Sequence, residues 1–311
     1  MKLIILVLTI THLTSASCQA DPIRLCFYNV ENLFDTIDDP STFDEEFTPS
    51  GIKNWNSSKY YQKLKNIGKA ILASSNYKEP HLIGLAEVEN IKVLEDLLLY
   101  SPLQYHSYQI FHEESEDARG IDVAFLIHED IEVIKFNSYV PTVGFKTRSI
   151  LNLKFKFYKD TITACLMHLP SRRGGKLQTL KKRLAVVKNY CSNSDSLKIE
   201  NNIIMGDFND EFTDSSVQFL KHHFNLENTY YYPSLKYRGK WNAFDLILFD
   251  QSFKMKVKVD AIIKAPDFLF MEDVKYGQKK PFRTYLGPNY IGGFSDHLPK
   301  YEELYFRNKS L

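Results

Sequence analysis

Cysteine is scarce in this chain: four residues among 311, with no two in a C-x-x-C spacing, which argues against a cysteine metal site. Charge imbalance is missing too. A formal net charge of +1 provides no global basic field, so a duplex nucleic acid is not demanded, though a local basic rim around a site would be enough to bind one. Internal repeats, low-complexity tracts and Gly/Ser linkers are absent. The one leading apolar run, Leu3 to Ile10, is too short to span a bilayer stably. What is present is a globular composition, 44% hydrophobic and 25% charged, able to bury a core in one large domain or two small ones.

The first twenty residues place Lys2 before that run and small residues after it, the layout of a secretory signal. Cleavage after Ala20 would leave an exported, periplasmic or secreted, protein. Cys18, behind Ser15, Ala16 and Ser17, is an alternative lipoprotein acceptor, but it lacks the usual leucine three residues earlier. Of the remaining cysteines, Cys26 and Cys165 lie in strand-like runs and Cys191 ends a helix-like one. Their odd number points to buried free thiols.

Strand patterns are expected at Arg24 to Val30, Leu82 to Ala86, Tyr108 to His112, Ile121 to Ile127, Ile131 to Asn137 and Leu151 to Phe157. The last turns through Tyr158, Lys159 and Asp160 into Thr161 to Met167, and further strands are expected at Asn202 to Met205, Phe244 to Phe249, Lys256 to Ile263 and Lys300 to Phe306. Helical spacing marks a segment capped by Ser57 or Ser58, then Ile91 to Tyr100, Lys176 to Tyr190 and Ser215 to His223. Asp35 to Asn54 and Ala265 to Gly293 read as loops. Helices interleave with hairpins, so an α/β sandwich fits better than a purely parallel sheet.

Several apolar runs end in groups that bind metal or handle protons: Asn29 and Glu31 in FYNVEN, Glu87 in LAEVEN, His168 in LMHLP, Asp207 and Asn209 in GDFND, and Asp296 and His297 in SDHLP. A carboxylate ending a buried strand must reach solvent or a cation. Gly206 permits a sharp bend or a close backbone approach, and Asp207 and Asn209, two apart in an extended stretch, would share one side. An ordinary Asx turn is the competing reading there. Arg172 and Arg173 follow His168 and offer forked donors for phosphate oxygens. Asp296 and His297, being adjacent, should point opposite ways. Asp245, in an apolar strand, is therefore the better candidate to orient His297.

These motifs, in this order, resemble the endonuclease/exonuclease/phosphatase superfamily over nearly all of residues 21–311, read as one catalytic domain after a signal peptide at 1–20. The resemblance implies two packed mixed β-sheets flanked by helices. It also implies a Mg²⁺ requirement, with Mn²⁺ or Ca²⁺ as alternatives. By motif, Glu87 matches the principal metal ligand with Asn29 beside it, Glu31 stands near a second ion, and Asp296 is a metal-side acid. Asp207 and Asn209 match residues that position nucleophile and phosphate, and His297 matches the general base or acid, held by Asp245. His168 is similar to the secreted nuclease and sphingomyelinase branches. Arg119 and Arg283, in stretches similar to those of bacterial secreted members, join Arg172 and Arg173 as substrate-binding candidates.

The expected activity is hydrolysis of a phosphoester, first as a nuclease on DNA or RNA, second as an esterase of lipid headgroups or sugar phosphates, in a monomer. A non-catalytic phosphate-binding interaction domain is the rival from another class, and its signature would be loss of one or more site groups.

Overall fold

The computed structural model describes residues 21–197, 201–228, 232–251, 255–257 and 265–306. The leader with Cys18, and the part of the expected strand 256–263 beyond Val257, lie outside them. Chain order is β1 (Ile23–Leu33), α1 (Ser57–Ser74), β2 (Leu82–Val88), α2 (Ile91–Tyr100), β3 (Tyr108–His112), β4 (Asp122–His128), β5 (Glu132–Tyr139), β6 (Ile150–Phe157), β7 (Asp160–His168), α3 (Lys176–Leu197), β8 (Asn202–Asp207), α4 (Ser215–Phe224), β9 (Leu226–Asn228), β10 (Leu235–Tyr237), β11 (Lys240–Asn242), β12 (Asp245–Asp250), β13 (Met255–Val257), β14 (Phe270–Glu272), β15 (Lys279–Pro281), β16 (Tyr285–Leu286), β17 (Asn289–Tyr290) and β18 (Lys300–Phe306). The cap of α1 is Asn56, one residue before the expected serines, its side chain accepting from Lys59 N. The stretch expected as a loop from Ala265 to Gly293 instead folds into two short hairpins, β14/β15 and β16/β17.

Two six-stranded sheets form, ordered β13-β18-β1-β2-β4-β3 and β5-β6-β7-β8-β12-β9. Both are mixed: β1/β2 and β7/β8 run parallel, while their outer neighbours run antiparallel. Side-chain parity sorts the strands into layers. Leu25 and Phe27 of β1, Phe125 of β4, Leu166 of β7 and Met205 of β8 fill the space between the sheets. On the other parity, Cys26, Tyr28 and Val30 meet Leu64 and Ile67 of α1 and Leu94 and Leu97 of α2. Cys165, Met167 and Ile204 meet Val187 of α3 and Leu220 of α4 in the same way on the second sheet. Both faces of each sheet are thus covered, which is why the central strands read as unbroken apolar runs; each fully buried Leu, Ile or Phe contributes roughly 1.5–3 kcal/mol. Cys26, Cys165 and Cys191 are all buried. Among the described residues no helix is long and apolar enough to cross a membrane.

Gly206 of β8 lies directly opposite Met167 of its parallel neighbour β7. A Cβ added there would lie 1.9 Å from the Met167 carbonyl oxygen, so the close-approach reading of this glycine applies. Gly206→Ala is expected to cost about 3 kcal/mol or more, because the obstacle is backbone of the neighbouring strand and cannot swing aside. A thermal melt within about 2 °C of the parent would contradict that packing, since 1 kcal/mol is worth roughly that much or more in a domain of this size.

Candidate active site

All four central strands deliver their functional ends to one edge of the inter-sheet layer. Asn29 has the parity of Leu25 and Phe27, His168 that of Leu166, and Asp207 that of Met205. Asp245 is the first residue of β12 and pairs directly with Asp207, rather than lying within its strand. The site is therefore the polar end of the core between the sheets.

Glu87 is the exception that the backbone corrects. Its parity, that of Ile83 and Leu85, belongs to the outer face. The β2/β4 register shifts between Ala86 and Val88, and Glu87 takes a left-handed φ of 65°. This local irregularity re-aims the side chain, and such bulges and strained residues gather at functional sites. Glu87 Oε2 then accepts from Asn32 N at 3.0 Å, and Oε1 lies 3.4 Å from Asn29 Nδ2.

From Asn29 the chain of contacts crosses to the second sheet. Asn29 Nδ2 donates to Asp207 Oδ2 at 3.1 Å, and that same oxygen lies 3.6 Å from His168 Nε2 and 3.8 Å from His297 Nε2. His297 Nδ1 is 2.7 Å from Asp245 Oδ2, the partnership expected from side-chain alternation. Ser295 locks the loop: its Oγ donates to Asn29 O at 2.7 Å and accepts from His297 N at 3.0 Å.

Burial and the charge of Asp245 push the Asp207 carboxyl up to about 7. Burial pulls the His297 imidazole down, but Asp245, then Asp207 and Asp296, outweigh it and hold it well above the ordinary histidine value. His168 goes the other way. Burial, with Arg148, Arg119 and His297 nearby, holds it neutral, and its Nδ1 has no hydrogen-bond partner among the described residues.

Several expected roles are changed by what the side chains touch. Asn29 Oδ1 accepts from Glu31 N at 3.0 Å and its amide nitrogen turns toward the carboxylates of Glu87 and Asp207, so it links the two acids. Glu31, expected near a second ion, accepts from Arg283 Nε and Nη2 and from Thr284 N. Asn209 is not extended: its φ is 49°, its N–H donates to Asp207 Oδ1 in an Asx turn, and its Nδ2 donates to Leu169 O. Arg172 is held by Asp210, Asp214 and Asn209 O and lies over the Phe244 ring, so it braces the loop. Arg119 lies 3.5 Å from Asp117, which also binds Arg148, while Arg173 is exposed. Arg283 bridges Glu31 and Asp296.

Sequence reading passed over three residues. Arg148 donates from Nε to His168 O at 3.1 Å and from Nη2 to Leu169 O at 2.8 Å, gripping the β7 end; nothing local marks it. Lys63 stands on the apolar stripe of α1 between Tyr60 and Ile67, and a lysine there was a readable signal. It is 1% exposed, and burial pulls its ammonium down to about 8. Arg238 lines a groove of about 720 Å³ that opens beside Asn209, with Arg173, Lys176, Tyr237 and Phe244 and no carboxylate among its described lining residues.

Residues 24–306 match the family model described as Endonuclease/Exonuclease/phosphatase family. No curated protein matches the chain. Among solved structures, the human Nocturnin catalytic domain with bound sulfate anion is similar at 18% identity and a TM-score of 0.58, covering 92% of this chain and 96% of its own. The mannosyl-6-phosphatase of Bacteroides thetaiotaomicron is similar at 16% identity and a TM-score of 0.59, covering 91% of this chain and 100% of its own. Humanized D. rerio TDP2 is similar at 13% identity and a TM-score of 0.55, over 92% and 99%. At these identities the solved structures show a shared fold.

Proposed function

The chain belongs to the Endonuclease/Exonuclease/phosphatase family of metal-dependent phosphoesterases, and we propose that within that class it is a nuclease, cleaving phosphodiester bonds by addition of water. The observation that carries the choice of substrate is the groove leading away from the site at Asn209, where Arg173 and Arg238 stand with Tyr237 and Phe244 beside them, while Lys176 is paired with Asp214 at 2.7 Å. A single-phosphate ester needs no such extension, whereas a polynucleotide places further phosphates and stackable bases there.

The donor set fits a divalent cation. Glu87 and Asp296 offer hard carboxylate oxygens at the rim, which suits Mg²⁺. Asp207, Asp245 and His297 also present ligand atoms within 4.8 Å of one another. Their geometry fits a different task, since the 2.7 Å contact joins His297 to Asp245 as a base to the acid that orients it. When bound, the ion neutralises charge developing on the phosphoryl group and leaving oxygen.

The remaining chemistry belongs to side chains. His297 Nε2 and Asp207 Oδ2, 3.8 Å apart, face the place where a water is held, and the neutral imidazole of His297 takes its proton. Asp245 stabilises the imidazolium that results. His168, kept neutral, supplies a hydrogen bond to a phosphoryl oxygen without adding a charge of its own.

Export completes the proposal, supported by the signal-like residues before Asp21, and the enzyme is taken to act as a monomer. Mass spectrometry of the mature N-terminus should find Asp21 first; an acylated Cys18 would refute that processing.

The reading is tested with Mg²⁺ on single- and double-stranded DNA, RNA, phosphocholine lipids and phosphorylated sugars. Hydrolysis of oligonucleotides should vanish with chelator and return with Mg²⁺. Raising salt from about 50 to 200 mM should lower kcat/KM on them roughly 20- to 40-fold, as expected for about three phosphate contacts. A flat salt response, with faster turnover of a sugar phosphate, would replace the nuclease by the single-phosphate esterase.

A further inference from the structure

The acidic rim of the site already holds cations built from the chain itself. Arg283, between β15 and β16, donates to Glu31 Oε1 from Nε at 2.9 Å and from Nη2 at 2.6 Å, and Nη2 is also 3.2 Å from Asp296 Oδ2. The other oxygen of Glu31 accepts from Thr284 N at 2.8 Å. Behind this strap, Lys63 of α1 places Nζ 2.6 Å from Thr284 Oγ1, in a position 1% exposed. Glu31 is itself 5% exposed, so its carboxylate faces protein donors rather than solvent.

We propose that the guanidinium of Arg283 is a resident cation that fills the place beside Glu31 where a second metal ion would otherwise sit, so that the centre takes up one divalent ion, on the side of Glu87 and Asp296. The inference rests on the metal-dependent reading above and deepens it. Two physical facts support it. A guanidinium is charged at every accessible pH, and its fork matches a carboxylate, so three N–H groups satisfy Glu31 without any ion. Displacing it would break two charge-assisted hydrogen bonds to Glu31, which is 5% exposed and would be left with its charge short of partners.

Mn²⁺ binding to the full chain, measured by calorimetry and by electron paramagnetic resonance of the ion, tests this without reference to turnover. The parent should bind one Mn²⁺ per chain. Arg283→Ala, checked for native circular dichroism, should bind two, and the Arg283→Ala, Glu31→Gln double variant should return to one. Arg283→Lys, which keeps the charge, should stay at one. Two ions bound by the parent overturn the proposal and leave the metal-dependent reading intact, as does one ion bound by a folded Arg283→Ala. No ion bound by the parent overturns the metal-dependent reading itself. Because the parent's stoichiometry is decisive, a variant that fails to fold does not shelter the proposal.

Discussion

His297→Ala is expected to lower kcat by about three to four orders of magnitude, the upper part of the range for a positioned general base. Its Nδ1 is tied to Asp245 at 2.7 Å, its Nε2 is turned toward Asp207, and the residue is 7% exposed, so bulk water cannot easily take its place. The companion substitution Asp245→Asn keeps the shape and removes the charge that raises the imidazole. The sign follows from protonation. A base must be neutral to act, so kcat/KM should rise with pH through the elevated histidine pKa. Without the Asp245 charge, burial pulls the imidazole down, and this limb should move to lower pH while the plateau falls by about 10⁴ through loss of orientation. The same histidine stabilises the fold below its unfolded pKa and loses that contribution as pH rises through the raised folded value. pH–rate profiles of the three proteins decide the matter. A His297→Ala enzyme within tenfold of the parent would remove His297 from the chemistry, and an Asp245→Asn profile with an unmoved limb would remove Asp245 as its orienting group.

Glu87→Gln should have the next largest effect, raising the Mg²⁺ concentration needed for half-maximal activity by about 100-fold or more, with a comparable loss at fixed Mg²⁺. The glutamine can still accept from Asn32 N, so the loop should persist while the anionic oxygen is lost. Its left-handed backbone, at φ 65°, is a conformation that costs an ordinary residue free energy and persists only because the bulge in β2 holds it. Mn²⁺ calorimetry should show the same weakening as the kinetics. An unchanged Mg²⁺ dependence would mean that Glu87 is merely a hydrogen-bond acceptor for the Asn29 and Asn32 segment.

Much of this site could be read from the sequence because its members sit at strand ends. The runs before Asn29, Glu87, His168 and Asp207 are apolar enough to need cover on both faces, and the structure supplies it with α1 and α2 on one side, α3 and α4 on the other, and the second sheet between. Alternation, a local property of extended chain, set Asp296 aside as the partner of His297, and the cost of an unpaired carboxylate in an apolar strand pointed to Asp245. The same rule failed for Asp207 and Asn209, because β8 ends at Asp207 and the Asx turn gives Asn209 a φ of 49°. It also misplaces Glu87, whose parity points outward until the bulge turns it. Local exceptions of this kind are set by the tight packing at the sheet edge, which periodicity does not encode.

The sequence by itself determined the two-sided burial of the strands and the inventory of carboxylates and imidazoles that makes metal-assisted hydrolysis the natural chemistry, since periodicity and residue type act over a few neighbours. Tertiary structure alone decided which charges meet. Glu31 is paired with an arginine 252 residues away, and Asn29 reaches an aspartate 178 residues away. Arg172 turns from the substrate side to Asp210 and Asp214. Such pairings depend on sheet register and on how the hairpins between β14 and β17 close over the rim. A charged side chain's partner is whatever the fold brings within about 4 Å, and no local pattern carries that distance.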